Sequence, residues 1–323
     1  FIVTLLIAIT LSPVVINIAK KANLDDTINE RSAHTTPTPR GGGLIFILTM
    51  AALLLANLLF SFLDIPQHVI LILCSSFGCA MIGFLDDKYT LPSWLRLCAQ
   101  VLLVIYPALH LPLLSVYFPP IIQYALYIIS WVWFINLFNF MDGTDGYASQ
   151  EALYILLLMI ITTTGLVPLS LCLMAAVLGF LKVNYPKASI FMGDAGSYFL
   201  GYLLFGLMIY SFTQNPHMLV PCMIVSLLFT ADATYTLIKR VIKRESFFSA
   251  HRSHWYQRLY NLGYSHTYIF WLGVAVNSIL LGLSLFAFYA HHIVVDITLC
   301  TFCLVMLSAF IVRKEKTSNF GST

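Results

Sequence analysis

Carboxylates capable of metal or phosphate chemistry are concentrated in three short segments, each beside a long apolar run. They are Gly83 to Lys88, Asp142 to Gly146, and Gly193 to Asp194. In the first, Asp86 and Asp87 face the negative end of a predicted helix dipole, which is unfavourable without a cation nearby. The segments therefore predict a site where a divalent cation or cationic side chains offset the charge. For the first segment, a solvated helix end with Lys88 as local partner is the plain alternative.

Two amides precede the second acidic segment, inside the last turns of an apolar run. Asn136, Asn139, Asp142 and Asp145 recur at intervals of three, so on a helical ending they fall roughly along one side. An ordinary Asp-Gly loop is the alternative. That alternative leaves the two amides unexplained, because unpaired amides are expensive in an apolar environment.

The third segment places Asp194 at the expected start of a helix, within the stretch 184–197. As an N-cap, Asp194 would bind backbone N–H groups. As a metal ligand, it would share Mg²⁺ with a diphosphate held at the helix N-terminus. Both roles are open at this point. Gly193 and Gly196 permit close backbone approach on either side.

Cationic side chains occupy three further segments. Arg40 precedes three glycines at 41–43, and Arg96 and Gln100 share one face of a predicted helix next to Asp86. His251, Arg252 and His254 lie among aromatic residues at 247–259, a composition that suits a phosphate-binding arm. A structural role is the usual alternative for a histidine. The glycine stretch could equally be a flexible linker.

Apolar segments long enough to cross a membrane must position these residues. The chain is 59% hydrophobic and 10% charged, and a helix needs about 20 apolar residues to span the hydrocarbon core. Eleven segments are predicted as transmembrane helices: 1–18, 43–63, 69–85, 94–111, 121–138, 149–165, 167–182, 196–212, 218–238, 267–289 and 293–312. The expected fold is all-α and polytopic. The first segment is followed directly by Lys20-Lys21, and it is expected to be a transmembrane helix that is not cleaved.

The distribution of positive charge predicts the orientation. All 17 Lys and Arg residues lie in alternate spacers, namely 19–42, 86–96, 139–150, 182–196, 239–266 and 313–323. The positive-inside rule makes that side cytoplasmic, with the N-terminus external and the C-terminus cytoplasmic. Topology thus accounts for the basic residues, and no nucleic-acid partner is predicted. The seven cysteines all fall in predicted spans, where they behave as small hydrophobes.

Five motifs, in order along nearly the whole chain, resemble the polyprenyl-phosphate N-acetylhexosamine-1-phosphate transferases (glycosyltransferase family 4, with the MraY-type translocases and WecA-type initiators). They are Thr-Pro-Arg-Gly-Gly-Gly at 38–43, Leu-Asp-Asp at 85–87, the Asn-x-x-Asn-x-x-Asp-Gly-x-Asp-Gly pattern at 136–146, the stretch 184–197, and the histidine segment. The resemblance implies transfer of a sugar 1-phosphate from a UDP-N-acetylhexosamine to undecaprenyl phosphate, with release of UMP. It also implies one multi-pass domain, 1–323, in the bacterial inner membrane, with catalytic loops at 19–42, 86–96, 139–150, 182–196 and 239–266.

The resemblance also implies roles for individual residues. The catalytic candidates are Asp86, Asp87, Asp142, Asp145, His251 and His254. The substrate-binding candidates are Asn136, Asn139, Asn184, Phe191, Arg40, Arg96 and Arg252. Phe191 is expected to stack on uracil, with Asn184 and Asp145 on the same nucleoside side. Asp194 and Asp87 are the expected ligands of Mg²⁺, with Mn²⁺ as an alternative, and a homodimer is compatible with the pattern.

The histidine segment, His-Arg-Ser-His-Trp-Tyr-Gln at 251–257, is similar to that of O-antigen and exopolysaccharide initiators. A muramoyl-pentapeptide donor is therefore not expected. Two other classes stay open. A UbiA-like prenyltransferase would also use Asp-rich motifs with Mg²⁺, although the stretch 184–197 and the histidine segment would then be unexplained. A transporter would need ionisable residues near the bilayer midplane, whereas most of the acidic residues here lie at the predicted cytoplasmic ends.

Overall fold

The computed structural model describes residues 1–22, 25–26, 38–113, 119–244, 253–290 and 292–319. Within these ranges the chain is almost entirely helical, and a two-residue antiparallel pair, β1 (Asp25–Asp26) with β2 (Thr38–Pro39), is the strand structure described. The helices are α1 (Ile2–Lys21), α2 (Leu44–Phe60), α3 (Gln67–Tyr89), α4 (Ser93–His110), α5 (Pro120–Phe140), α6 (Tyr147–Thr162), α7 (Val167–Asn184), α8 (Gly193–Gln214), α9 (Leu219–Val225), α10 (Leu227–Ile242), α11 (Trp255–Asn261), α12 (His266–Ala290) and α13 (Ile293–Asn319). Short 3₁₀ turns, Thr164–Leu166 and Pro216–Met218, precede α7 and α9.

Each predicted apolar segment coincides with a helix, and the ninth is broken into α9 and α10, which meet at 67°. In the described part of the chain, seven helices are long and apolar enough to cross a membrane, or eight if the bent pair counts as one. The count of eleven spans and the orientation of the termini stay predictions. Ser226 lies at the break, and its hydroxyl donates to the carbonyl of Cys222 at 2.9 Å. This back-bonding competes with the helical ladder and is associated with bends.

Helix α8 forms the centre of the molecule and is buried along almost its whole length. Its main neighbours are α3 and α5. Glycines let these helices approach closely: a side chain at Gly83 would collide with the Asp194 carbonyl, and one at Gly201 would lie 3.0 Å from Cα of Ile135. Small residues serve this purpose in membrane helix packing. The indole of Trp131 donates to the Tyr202 carbonyl at 2.8 Å, which fixes α5 against α8.

Backbone contacts gather several helix ends at one end of the bundle. The N–H of Gly42 donates to the Phe191 carbonyl at 2.8 Å, and that of Gly43 to the Met192 carbonyl at 2.9 Å. The N–H of Gly146 donates to the Asn184 side chain at 3.0 Å. The starts of α2, α6 and α8 therefore meet the end of α7. The three acidic motifs lie at these ends, at the end of α3, or on the adjoining loops.

A buried polar pair joins α6 to α12 away from those ends. The amide of Asn277 donates to Oε2 of Glu151 at 2.7 Å, and both side chains are fully buried. Within the described residues, Oε1 of Glu151, Oδ1 of Asn277 and both polar atoms of neighbouring Gln150 have no hydrogen-bond partner. Unpaired polar groups are costly in this environment, so the bond from Asn277 is important for the stability of this buried pair.

Replacing Asn277 by Leu should therefore destabilise the protein, because Glu151 loses its donor. We expect a loss of about 1–2 kcal/mol, between the values for an orphaned buried polar group and for membrane helix hydrogen bonds. Glu151→Gln should be milder, since an amide oxygen still accepts from Asn277. Thermal unfolding in detergent measures both, with the exposed polar residue Thr298, changed to Val, as control. Equal unfolding of Asn277→Leu and the wild type would contradict the role of the pair.

Candidate active site

Asp86 is held by contacts within the protein. Its Oδ2 accepts from the Arg96 guanidinium at 2.5 Å and from the Tyr198 hydroxyl at 3.4 Å, while Oδ1 accepts from the N–H of Leu91 at 2.8 Å. The side chain is buried. Lys88, the partner in the plain alternative, instead lies 5.0 Å over the ring of the following tyrosine. Asp86 thus fixes the turn between α3 and α4, with Arg96 as its counter-charge.

Asp87 has a different environment although it is the next residue. Its Oδ2 accepts from the N–H of Ala195 at 3.3 Å, in the first turn of α8. Its Oδ1 is buried without a hydrogen-bond partner in the described part of the chain. The positive end of the α8 dipole therefore lies beside a carboxylate that the negative end of α3 disfavours. Asp87 is the member of the acidic pair with a free oxygen at the site.

Asp194 lies in the first turn of α8 and is not its cap. The N-cap is Met192, which makes no side-chain capping bond. Asn139 donates its amide to Oδ1 of Asp194 at 2.8 Å and to the Ser197 hydroxyl at 2.9 Å. Gly193 has φ +76°, and a Cβ there would lie 2.9 Å from Oδ2 of Asp87. Glycine is therefore required for the two carboxylates to approach.

Asp142 lies near both of these carboxylates. Burial, followed by the charges of Asp194 and Asp87, raises the pKa of Asp142 well above its usual range, and Arg40 acts in the opposite direction. Arg40 is placed here because residues 39–42 pair with Phe191, whose N–H donates to the Pro39 carbonyl at 2.8 Å. Three carboxylates from the ends of α3, α5 and α8 thus share one region with a guanidinium.

Asn136 and Asn139, which are three residues apart, bind different partners. Asn139 binds Asp194, as described above. Asn136 donates to Oε1 of Gln100 at 2.6 Å and to the Val132 carbonyl at 2.8 Å, which links α5 to α4. The regular spacing therefore does not bring all four polar residues to one site. The substrate-binding role expected of Asn136 stays a prediction.

Asn184 and Asp145 hold the loop that ends in Phe191. Asn184 accepts from the N–H of Gly146 at 3.0 Å and donates to the Ile190 carbonyl at 3.0 Å. Oδ2 of Asp145 accepts from the N–H of Ala188 at 3.0 Å. Both side chains are buried, whereas Phe191 is half-buried. The structure thus shows these two residues supporting the loop, and their direct contact with a nucleoside stays a prediction.

His254 is buried between aromatic rings and Asp232. Its Nδ1 lies 3.4 Å from Oδ1 of Asp232, and its ring is stacked on Tyr256 at 6.0 Å between centroids. Asp232 also accepts from the N–H of Trp255 at 2.9 Å, so it caps α11 from another helix. The Tyr256 hydroxyl donates to the Phe140 carbonyl at 3.0 Å, which docks this segment on the end of α5. His251 and Arg252 lie outside the described residues.

Four residues of this region escaped the sequence analysis as site residues: Tyr198, Asp232, Tyr256 and His266. The partners of Asp232 are His254 and Trp255, at the start of α11. A capping residue supplied by a distant helix leaves no local motif. His266 lies 2.5 Å from the Thr144 hydroxyl and 3.8 Å from Oδ1 of Asp145. Only its position at the start of an apolar run could have indicated it.

Comparison with known proteins adds the family. The profile described as "Glycosyl transferase family 4" matches residues 69–212, from the start of α3 to the last turn of α8. Over these residues, which make up less than half of the chain, the protein is similar to this family. The matched region contains Asp87, Asp142 and Asp194, and it excludes Arg40 and His254.

Two curated proteins are similar to this chain over most of its length. The "Probable undecaprenyl-phosphate N-acetylglucosaminyl 1-phosphate transferase" of Bacillus subtilis (strain 168) is 29% identical over 283 residues, covering 82% of this chain and 78% of the relative. The "Phospho-N-acetylmuramoyl-pentapeptide-transferase" of Staphylococcus aureus (strain JH9) is 29% identical over 229 residues, covering 61% of this chain and 71% of the relative. Both names describe transferases of phosphorylated amino sugars.

The contrast between Asp86 and Asp87 predicts different effects of substitution. Arg96→Met should lower the free energy of unfolding by about 1–3 kcal/mol, because buried Asp86 loses its charged donor. Asp87→Asn should leave stability near the wild-type value, because it removes one of several neighbouring negative charges. Thermal unfolding of both variants in detergent measures the difference. If Asp87→Asn is as destabilising as Arg96→Met, the two aspartates are not distinguished in this way.

Proposed function

We propose that this protein transfers an N-acetylated amino sugar 1-phosphate from a UDP-sugar to undecaprenyl phosphate and releases UMP. The observation that carries the proposal is the meeting of Asp87, Asp142 and Asp194 with Arg40 at the ends of apolar helices. Such a place lets a water-soluble diphosphate and a lipid headgroup reach the same groups. The similarity to glycosyl transferase family 4 and the names of both relatives support the reaction class.

The proposal includes the cytoplasmic face of the bacterial inner membrane as the location. It also includes initiation of a surface glycan, such as an O-antigen or exopolysaccharide, as the pathway step. The location is supported by the charge distribution of the sequence and by the apolar helices. The pathway step is supported by the His-Arg-Ser-His-Trp-Tyr-Gln segment at 251–257, which is similar to that of O-antigen and exopolysaccharide initiators.

Magnesium is the proposed cofactor, and the residues present fit it. Oδ1 of Asp87 is buried without a partner among the described residues, close to Asp194. The described residues contain no group of three or more Asp, Glu, His or Cys side chains already arranged to hold a metal. Mg²⁺ is usually held by one or two carboxylates together with substrate phosphate oxygens, so Asp87 and Asp194 would be its protein ligands. A bound ion would supply neutralisation of the diphosphate charge.

The protein's own groups would act mainly by positioning and by screening charge. The lipid phosphate has a second pKa near 6, so at neutral pH it is mostly dianionic and needs little help from a base. In the proposed step, one of its oxygens attacks the β-phosphorus of the UDP-sugar. The bond from that phosphorus to the bridging oxygen breaks, and the oxygen leaves with UMP. The obstacle is the approach of two anions, so positive charge dominates catalysis.

Each group then has a place in that step. Arg40 and the histidine segment would face phosphate oxygens, with His254 held in orientation by Asp232. Asp87, which has the free oxygen, is the better candidate than Asp86 for contact with the acceptor or the metal. Asp86 acts through the α3–α4 turn. Phe191, on its half-buried loop, would stack on the uracil ring.

The decisive experiment incubates purified full-length protein with undecaprenyl phosphate, Mg²⁺ and a panel of UDP-sugars, and measures UMP. Release of UMP with formation of a lipid-linked diphosphosugar is expected. Inorganic diphosphate released from a prenyl diphosphate would instead indicate a UbiA-like prenyltransferase. Movement of solute across vesicles without a covalent product would indicate a transporter. No UMP with any donor would refute the proposed function.

Asp194→Asn should lower UMP release at least about tenfold, as expected when a contact to a charged group in the transition state is lost. The reason is that an amide is a weaker ligand for Mg²⁺ than a carboxylate. Asp64→Asn is the matched control, because Asp64 is exposed on the loop between α2 and α3. Activity of Asp194→Asn close to that of the control, at saturating Mg²⁺, would exclude Asp194 as a ligand.

Phe191→Ala should raise the KM for the UDP-sugar and leave the KM for undecaprenyl phosphate unchanged. Stacking of a base on an aromatic ring contributes roughly 1–3 kcal/mol, so the increase is up to about a hundredfold. The steady-state rate at varied UDP-sugar and saturating lipid measures it, with exposed Phe60, changed to Ala, as control. An unchanged nucleotide KM would remove Phe191 from the base-binding surface.

A further inference from the structure

His266 joins the start of α12 to the turn between α5 and α6. Its Nδ1 lies 2.5 Å from the Thr144 hydroxyl and 3.8 Å from Oδ1 of Asp145. The ring is largely buried, with 16% of the side chain exposed, and packs edge-on against Tyr260 at 5.0 Å between centroids. Thr144 can donate to or accept from Nδ1, so the contact is available to either neutral tautomer.

Asp145 connects His266 to the loop at 185–192. Its side chain is buried, with 3% exposure, so contacts within the protein set its orientation. While Oδ1 faces His266, Oδ2 accepts from the N–H of Ala188 at 3.0 Å. The hydrogen bond from Ala188 therefore ties the loop to a buried carboxylate whose other oxygen borders His266.

The loop in turn carries Phe191. The backbone of Phe191 is bonded on both sides, donating to the Pro39 carbonyl and accepting from the N–H of Gly42, each at 2.8 Å. Asn184, at the end of α7, donates to the carbonyl of Ile190, the residue before Phe191, at 3.0 Å. A continuous series of contacts therefore runs from α12 through Asp145 to the half-buried aromatic ring.

We infer that His266 is a positioning residue for the nucleotide-binding half of the site. It holds Thr144 and Asp145, and through them the loop that presents Phe191 to the base of a nucleoside diphosphate. This inference rests on the proposed function for the identity of the ligand. Since the contacts of His266 with Thr144 and Asp145 lead to the Phe191 loop, loss of His266 affects donor binding and not the rate at saturating donor.

The atom that makes the contacts provides a specific test. An asparagine places a polar atom near the position of Nδ1, whereas a glutamine places one near that of Nε2. His266→Asn should therefore preserve the contact to Thr144, and His266→Gln should not. His110→Ala is the matched control, since exposed His110 also uses Nδ1, bonded to the Tyr106 carbonyl at 2.8 Å, at the end of α4 remote from Asp86.

UMP release at varied UDP-sugar and saturating undecaprenyl phosphate is the first measurement. His266→Ala should raise the nucleotide KM about three- to tenfold, as expected for loss of one hydrogen bond, with kcat and the lipid KM unchanged. His266→Asn and His110→Ala should behave as wild type. In an Asp145→Asn background, His266→Ala should add little, because residues acting through one contact are not additive. A fall in kcat at unchanged KM, or additive effects in the double variant, would overturn the inference.

Amide hydrogen exchange of the loop at 185–192 is the second measurement, and it needs no activity. Exchange at Ala188 should be faster in His266→Ala than in wild type and His266→Asn, with equal exchange in α8. Wild-type UMP release with unchanged loop exchange and KM in His266→Ala would defeat the positioning role alone. Faster loop exchange in a protein that releases no UMP would leave the positioning intact and defeat the proposed function.

Discussion

Close contact between the start of α8 and the end of α3 is the constraint on which the rest of the site depends. Two carboxylates, Asp87 and Asp194, must lie near each other, and their mutual repulsion opposes this. Glycine permits the approach at Gly83 and Gly193, where a side chain would meet the Asp194 backbone or the Asp87 carboxylate. The α8 dipole and the Asn139 amide offset part of the charge. The remaining negative charge would attract a divalent cation, and that cation would in turn attract a phosphate ester.

Two adjacent aspartates serve different purposes because they have different sets of partners. Both contact α8, Asp86 at Tyr198 and Asp87 at Ala195, but Asp86 is also bound by Arg96 of α4. Neighbouring residues on a helix are about 100° apart, so a pair at the junction of three helices necessarily meets different partners. The acidic pair is therefore one structural and one available carboxylate, and the order of the residues follows from the helical rotation alone.

The sequence was sufficient to predict the helices and the meeting of acidic motifs, because apolar length and motif order are local properties. It was insufficient wherever a partner comes from a distant helix. Asn136 shares its spacing with Asn139, yet it binds Gln100, since α4 happens to pack on that side. Asp232 caps α11 although it lies 23 residues before Trp255 in the sequence, and no pattern within α10 predicts this contact. The bend at Ser226 was missed for a related reason: a hydroxyl within an apolar run does not by itself interrupt hydropathy.

The turn at 142–146 connects the parts of the site that the helices hold separately. Asp142 lies close enough to Asp87 and Asp194 for their charges to raise its pKa. Three residues later, Asp145 supports the Phe191 loop. Between them, a side chain at Gly143 would collide with the Tyr256 hydroxyl, so the histidine segment packs directly on the turn. One short turn thus connects the carboxylates of the proposed phosphate site to the loop that carries Phe191. Under the proposed function, this turn would set the distance between the two ends of a bound donor.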